Sequence, residues 1–246
     1  MLSFFSAISF LTVIPTPKQA SWDDARKIMY FPLVGLTIGV LLYGIDRLLS
    51  GFAYREIRSA LDVLFLAVIS GGLHLDGLAD SADGLFSHKG REKSLDIMKD
   101  PRIGAMGALA VVFCVLLKFA GLLGIENGRC WTWFLAAPAL ARATQTLGLV
   151  FLYNARGKDG LGAPFFQKGQ YRLLGFCIVP IAIPFLASVA TGLLSLGVFA
   201  VSTIVLFMYF QSRIGGMTGD TFGATTEVVE TALFLAGGLA CASASS

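Results

Sequence analysis

Leu173–Phe210 reads LLGFCIVPIAIPFLASVATGLLSLGVFAVSTIVLFMYF, 38 residues without a charge. As one helix it would be about 57 Å long, roughly twice the thickness of a bilayer's hydrocarbon core. The run therefore predicts two membrane spans joined by a short turn near Thr191-Gly192. Further apolar stretches fall at 29–50, 60–75, 103–124, 131–153 and 228–243. The stretch 60–75 is short for a full crossing and reads as tilted or partly re-entrant. Composition agrees: 55% of residues are hydrophobic and 14% charged, with a mean hydropathy of +0.73. Soluble domains carry about 25% charged residues. The fold expected is an all-α, polytopic integral membrane helical bundle of about six to eight spans, with residues 1–246 forming a single membrane-embedded catalytic domain. Residues 1–14 are apolar but lack the basic start and small-residue cleavage site of a secretory signal, so they read as an interfacial or re-entrant helix.

Loops 15–28, 76–102, 154–172 and 211–227 are each separated from the next by two expected spans, which places all four on one side. They hold 13 of the 19 Lys and Arg residues, against three in the opposite loops near 51–59 and 125–130. The positive-inside rule puts the four long loops in the cytoplasm. The net charge is +3 and there is no basic run, so no nucleic-acid partner is expected. Cys114, Cys130, Cys177 and Cys241 lie far apart with no C-x-x-C pair, so neither a disulfide framework nor zinc is indicated.

The chemistry-bearing residues concentrate in those loops. In Gly71-Gly72-Leu73-His74-Leu75-Asp76-Gly77-Leu78-Ala79-Asp80-Ser81-Ala82-Asp83-Gly84 the aspartates recur at i, i+4 and i+7, one face of a helix. Like charges on one stripe repel unless a cation lies among them. A solvated acidic helix end is the plain alternative, but interleaved leucines favour a Mg²⁺ cleft. Arg91, Asp96, Lys99, Asp100 and Arg102 follow, with carboxylates and cations mixed as a diphosphate would require. A third cluster runs Arg213-Ile214-Gly215-Gly216-Met217-Thr218-Gly219-Asp220, then Glu227 and Glu230. Its dense glycines suit close approach of backbone N–H groups to an anion. Both Asp76 and Asp220 stand four residues after a Gly-Gly pair. Lys118 and Arg142 sit inside spans, each either snorkelling or reaching a phosphate. His74 is a candidate general base, and Gly160–Phe166 reads as a flexible apolar lid. Phosphate-loop and nucleophile-elbow motifs are missing, which disfavours covalent serine or cysteine catalysis.

At these residues the chain resembles the cobalamin (5′-phosphate) synthase family, the adenosylcobinamide-GDP ribazoletransferases. The resemblance is carried by GGLHLDGLADSADGLFS from Gly71, REKSLDIMKDPRIGAMG from Arg91, GGMTGDTFGATTEVVE from Gly215, FPLVG from Phe31 and the G-L-G-x-x-F loop from Gly160. It covers nearly the whole chain. It implies transfer of α-ribazole, or its 5′-phosphate, onto adenosylcobinamide-GDP with release of GMP, in a cytoplasmic membrane and with Mg²⁺. It also implies Asp76, Asp80, Asp83 and Asp100 as metal carboxylates. Beside it we assign Asp100, His74 and Arg102 to catalysis, with Asp220 as an alternative base. Arg91, Lys99, Lys118, Arg142, Arg213, Gly215, Gly216, Thr218, Asp220, Glu227 and Glu230 are assigned to substrate binding. Membrane lipid is an expected partner, and a homo-oligomer is left open. Asp80-Ser-Ala-Asp83-Gly84 is also similar to the D-x-x-D-G opening of CDP-alcohol phosphotransferases, but no Ala-Arg follows Gly84 and Asp96-x-x-x-Asp100 falls too early. That lipid synthase class, and a transporter using intramembrane charges, are the rival readings.

Overall fold

The computed structural model describes residues 2–17, 25–125, 130–157 and 163–243. Among them the only bridge between extended segments is the isolated pair Asn154–Met217; the rest is helix and turn. The helices are α1 (Leu2–Leu11), α2 (Phe31–Leu49, preceded by a 3₁₀ turn over Ala25–Tyr30), α3 (Arg55–Ile69), α4 (Leu73–Leu85), α5 (Arg91–Ile97), α6 (Ala105–Gly124), α7 (Trp131–Phe151), α8 (Ile178–Ala182), α9 (Val189–Ile214) and α10 (Gly219–Ser243).

Among the described residues, five helices are long and apolar enough to cross a membrane: α2 with its lead-in, α6, α7, α9 and α10. A sixth span follows if α3 and α4, bent by 85° at their junction, count as one. The bend falls at Gly71 and Gly72, whose φ angles of 61° and 74° are left-handed and open to glycine without a Cβ penalty. The expected span at 173–191 is irregular. Tyr171–Cys177 and Ile183–Leu186 are 3₁₀, with α8 between them, because Pro180 and Pro184 interrupt the α-helical hydrogen-bond ladder. Connectivity still requires the segment to run the depth of the bundle. Gln167 and Gly169 donate to carbonyls at the end of α7, whereas α9 starts at the far end and returns to the same loops. The turn lies at Ala187-Ser188, earlier than the expected Thr191-Gly192, because the Ser188 hydroxyl caps α9 by accepting from the Thr191 N–H at 3.0 Å.

Close packing rests on small residues, as expected where lipid removes the hydrophobic drive between helices. On α2, Gly35 and Gly39 lie against the backbone of α7 at Leu135–Ala139, where any Cβ would collide. Gly121 and Gly124 of α6 meet α10 at Phe234 and Gly238 in the same way. Helix α7 is buried on nearly every side, while α9 turns Val201, Ile204, Val205 and Met208 outward.

The described parts of the four polar loops meet at one end of this bundle, as the sequence predicts, with Lys27 of the first lying over the Phe165 ring of the third. Arg91 donates to the carbonyls of Ile214 and Ala155, each at 2.7 Å, and Arg213 donates to that of Leu85 at 3.0 Å. At the other end Cys130 and Cys241 form a disulfide, 111 residues apart in sequence, contrary to the expectation of none. Spacing could not reveal the pair, which depends on the antiparallel contact of α7 and α10. Cys114 and Cys177 remain buried thiols.

Candidate active site

Helices α4 and α10 start at the loop end and cross where neither carries a side chain. A Cβ on Gly77 would sit 2.6 Å from the Asp220 carbonyl, and one on Gly223 would sit 2.9 Å from that of His74. This contact brings Asp76 and Asp220, each in the first turn of its helix, to one cleft. Two helix N-termini so placed favour negative charge. Arg156 reaches in from the end of α7 and donates to Asp220 at 2.8 Å, while the Thr218 hydroxyl adds a contact at 3.3 Å. Asp80 lies one turn below Asp76, and its charged neighbours are Asp76, Asp220, Asp83 and Arg156. Among the described residues here, carboxylates outnumber cations.

The cleft is about 590 Å³ and lined mostly by apolar groups. Two of its lining residues, His74 and Gln145, form a polar contact. The Gln145 amide nitrogen contacts His74 Nε2 at 3.2 Å and donates to the Thr226 hydroxyl at 2.7 Å. His74 is buried, and its Nδ1 has no protein partner.

The other expected site residues fall into three groups. Asp83 spends both carboxylate oxygens on the start of α6, accepting from Gly104 N at 2.7 Å and Gly107 N at 2.8 Å. Asp100 and Arg102 form a pair at the surface, outside the cleft lining. The Arg102 side chain donates at 2.9 and 2.7 Å, and its backbone N–H at 3.1 Å. These hydrogen bonds from Arg102 hold the Asp100 carboxyl down at about 2. Helix α5 ends at Ile97, so Asp96 and Asp100 do not share a helical face, and Lys99 is exposed on the turn between them. Arg91 and Arg213 are ties between loops. Gly215, at φ 77°, closes α9, and Gly216 packs on the Tyr153 carbonyl, so these glycines serve chain-to-chain contact. Thr218 is buried, and its backbone N–H and hydroxyl pair with Thr221 at the head of α10.

The third group answers how four charges survive inside the bundle. Lys118 contacts Glu227 at 2.6 Å and Glu230 at 2.7 Å, and Arg142 pairs with the other oxygen of Glu230. Two cations and two carboxylates cancel, which is the condition for charge at that depth. None of the four lines the cleft.

Several lining residues were not singled out in the sequence. Arg156, Gln145 and Asn154 line the cleft, and so do Phe10 and Phe222. Arg156 was visible only as one loop cation among several. Phe165, from the expected lid, lines the cleft, while residues 160–162 lie outside the described set.

Among the described residues, no three His, Cys, Asp or Glu side chains stand close enough together to hold a metal by themselves. Mg²⁺ asks for less: one or two carboxylates, with waters and substrate phosphate oxygens completing its shell. Asp76 and Asp80 fit that demand. Asp83 and Asp100 are engaged with α6 and Arg102, which narrows the expected set of four.

Fold and site together define a polytopic membrane protein with an acid-rimmed, apolar-walled cleft at its loop end. By sequence the chain belongs to the cobalamin-5-phosphate synthase family, whose profile matches residues 3–238. It is 38% identical to the adenosylcobinamide-GDP ribazoletransferase of Caldanaerobacter subterraneus subsp. tengcongensis, over 93% of this chain and 94% of that one. It is 40% identical to the enzyme of the same name from Thermoanaerobacter sp. strain X514, over 91% and 92% of the two chains. To that from Pseudomonas syringae pv. syringae it is 39% identical, over 96% and 98%. No solved structure matches it.

Proposed function

We propose that this chain joins α-ribazole, or its 5′-phosphate, to adenosylcobinamide-GDP and releases GMP, working at the acidic rim of the cleft between α4 and α10. Family membership, with relatives that carry the ribazoletransferase name, supports the reaction. The single observation that carries the location is the Gly77–Gly223 crossing, which sets Asp76 and Asp220 at one opening, with Asp80 a charged neighbour of both. Mg²⁺ bound by Asp76 and Asp80 would neutralise the diphosphate and make GMP a better leaving group.

The chain's own groups account for the rest. The N-termini of α4 and α10 attract the phosphates. Arg156, held by Asp220, is placed to donate to a phosphoryl oxygen. Asp220 accepts the proton of the attacking ribazole oxygen. Asp100, with its carboxyl at about 2 and three hydrogen bonds from Arg102, is a poor base near neutral pH. His74 and Gln145 line the path between the two halves of the cleft and hold the acceptor in register.

The loop end belongs on the cytoplasmic face of the inner membrane. Its cations support that side, and the Cys130–Cys241 disulfide at the other end suits the oxidising side. A lipid synthase would need a diacylglycerol nucleotide in place of the corrinoid, so labelled donors separate the two. The deciding experiment is GMP release by purified protein in nanodiscs, with Mg²⁺ and both substrates. Wild type should turn over, and Asp76→Asn should remain folded but lose at least about a hundredfold in kcat. Full activity in Asp76→Asn removes the acidic rim from the mechanism.

A further inference from the structure

The cleft has two unlike halves. Charge comes from the α4 and α10 wall, through Asp76, Asp220 and Arg156. The lining from α1, α2 and Phe165 is aromatic. Phe10 of α1 stacks on Phe31 of α2 with centroids 5.8 Å apart and planes within 5°, and Phe165 tilts against Phe10 at 5.3 Å. Behind these rings lies Lys27, wholly buried, with its ammonium 4.1 Å from the centroids of both Phe10 and Phe165. A desolvated cation over two ring faces holds both rings in place. Diphosphate chemistry needs only the acidic part, so an ordered aromatic wall in the same cleft calls for a ligand of its own.

We propose that the aromatic half seats the heteroaromatic base of the ribazole acceptor, while the corrin ring of the other substrate stays outside the cleft. This rests on the ribazoletransferase reading and adds to it which substrate is enclosed. Size discriminates between the two. At about 590 Å³ the cleft falls within the roughly 300–1,000 Å³ of pockets that enclose small-molecule ligands. A benzimidazole ribonucleoside is of that size, whereas a corrin macrocycle with its amide arms is several times larger. Chemistry agrees with size: a flat apolar base stacks on phenylalanine rings. The ribose then passes the His74–Gln145 contact, and its hydroxyl arrives beside Asp220. Helix α1 and Lys27 thereby become parts of the acceptor site, with Lys27 a positioning residue that acts through Phe10 and Phe165.

The test separates the two substrates. Ribazole binding to the full-length protein in nanodiscs is measured by calorimetry without the corrinoid, and KM for each substrate is taken from GMP release. In Phe165→Leu, Phe10→Leu and Lys27→Met, ribazole binding should weaken and its KM rise about tenfold or more. KM for adenosylcobinamide-GDP should stay within about twofold of wild type, which also certifies that the variants fold. The proposal falls if wild type does not bind ribazole alone, or if the corrinoid KM rises while ribazole binding is unchanged. Wild type that binds ribazole through these rings yet releases no GMP would leave the acceptor site standing and remove the reaction.

Discussion

Asp83 accepts two backbone N–H groups at the head of α6, so Asp83→Ala strands both donors and removes an anion from a helix N-terminus. The expected cost is about 1–2 kcal/mol, read as a lowered Tm of the detergent-solubilised protein. Asp100 gives a different signature. Its pKa in the fold lies below the unfolded value of about 3.9, so its pairing with Arg102 contributes above that pH and is lost as pH falls toward 2. At any pH above about 4 it is a fixed anion. The acid limb of the kcat/KM profile between pH 5 and 8 should therefore keep its position in Asp100→Asn; a displaced limb would return Asp100 to the proton transfer. Asp76, Asp80, Asp83 and Asp100 all look alike in sequence, as acidic residues in one glycine-punctuated segment. What separates them is the partner that each oxygen finds across the fold.

At the scale of elements, the α4–α10 crossing tolerates no side chain. Gly77→Ala would force its methyl group against the Asp220 carbonyl, so the helices must part. We expect a loss of about 1–3 kcal/mol, with GMP release falling further than stability alone explains, because Asp76 and Asp220 separate with the helices. The ion network between α6, α7 and α10 is read by a double-mutant comparison. Lys118→Met leaves Glu227 and Glu230 facing Arg142 alone and should cost about 3–5 kcal/mol. Adding Glu227→Gln should recover part of that loss in thermal unfolding. If Lys118 bound substrate, the second change would restore nothing, and KM would respond before Tm.

The molecule as a whole is polarised, with charged loops at one end and a disulfide at the other. Cysteines introduced by Lys89→Cys and Phe52→Cys, in the two kinds of loop, test the orientation with a membrane-impermeant thiol reagent on intact cells. Position 52, exposed in the α2–α3 turn, should label, and position 89 should label only after lysis. The reverse pattern would place the cleft on the outer face. Exposed apolar residues on α6 and α9 make up much of the remaining surface, as lipid-facing helices require.

The sequence by itself determined that the chain is a helical membrane bundle, that its polar loops share one end, and which family it belongs to. Those properties follow from local quantities: hydropathy over a span length, the parity of crossings, and contiguous motifs. Only tertiary structure decided which charges open onto the cleft and which are neutralised inside the bundle. Glu230 and Asp76 are both carboxylates on helices that follow glycine-rich turns, but one is neutralised by Lys118 and Arg142 within the bundle and the other opens onto the cleft. The aromatic wall, Lys27 and the Cys130–Cys241 bond were hidden for the same reason. Their members are separated in sequence by tens to more than a hundred residues, and a pattern read along one chain carries no signal for a contact made only when helices pack.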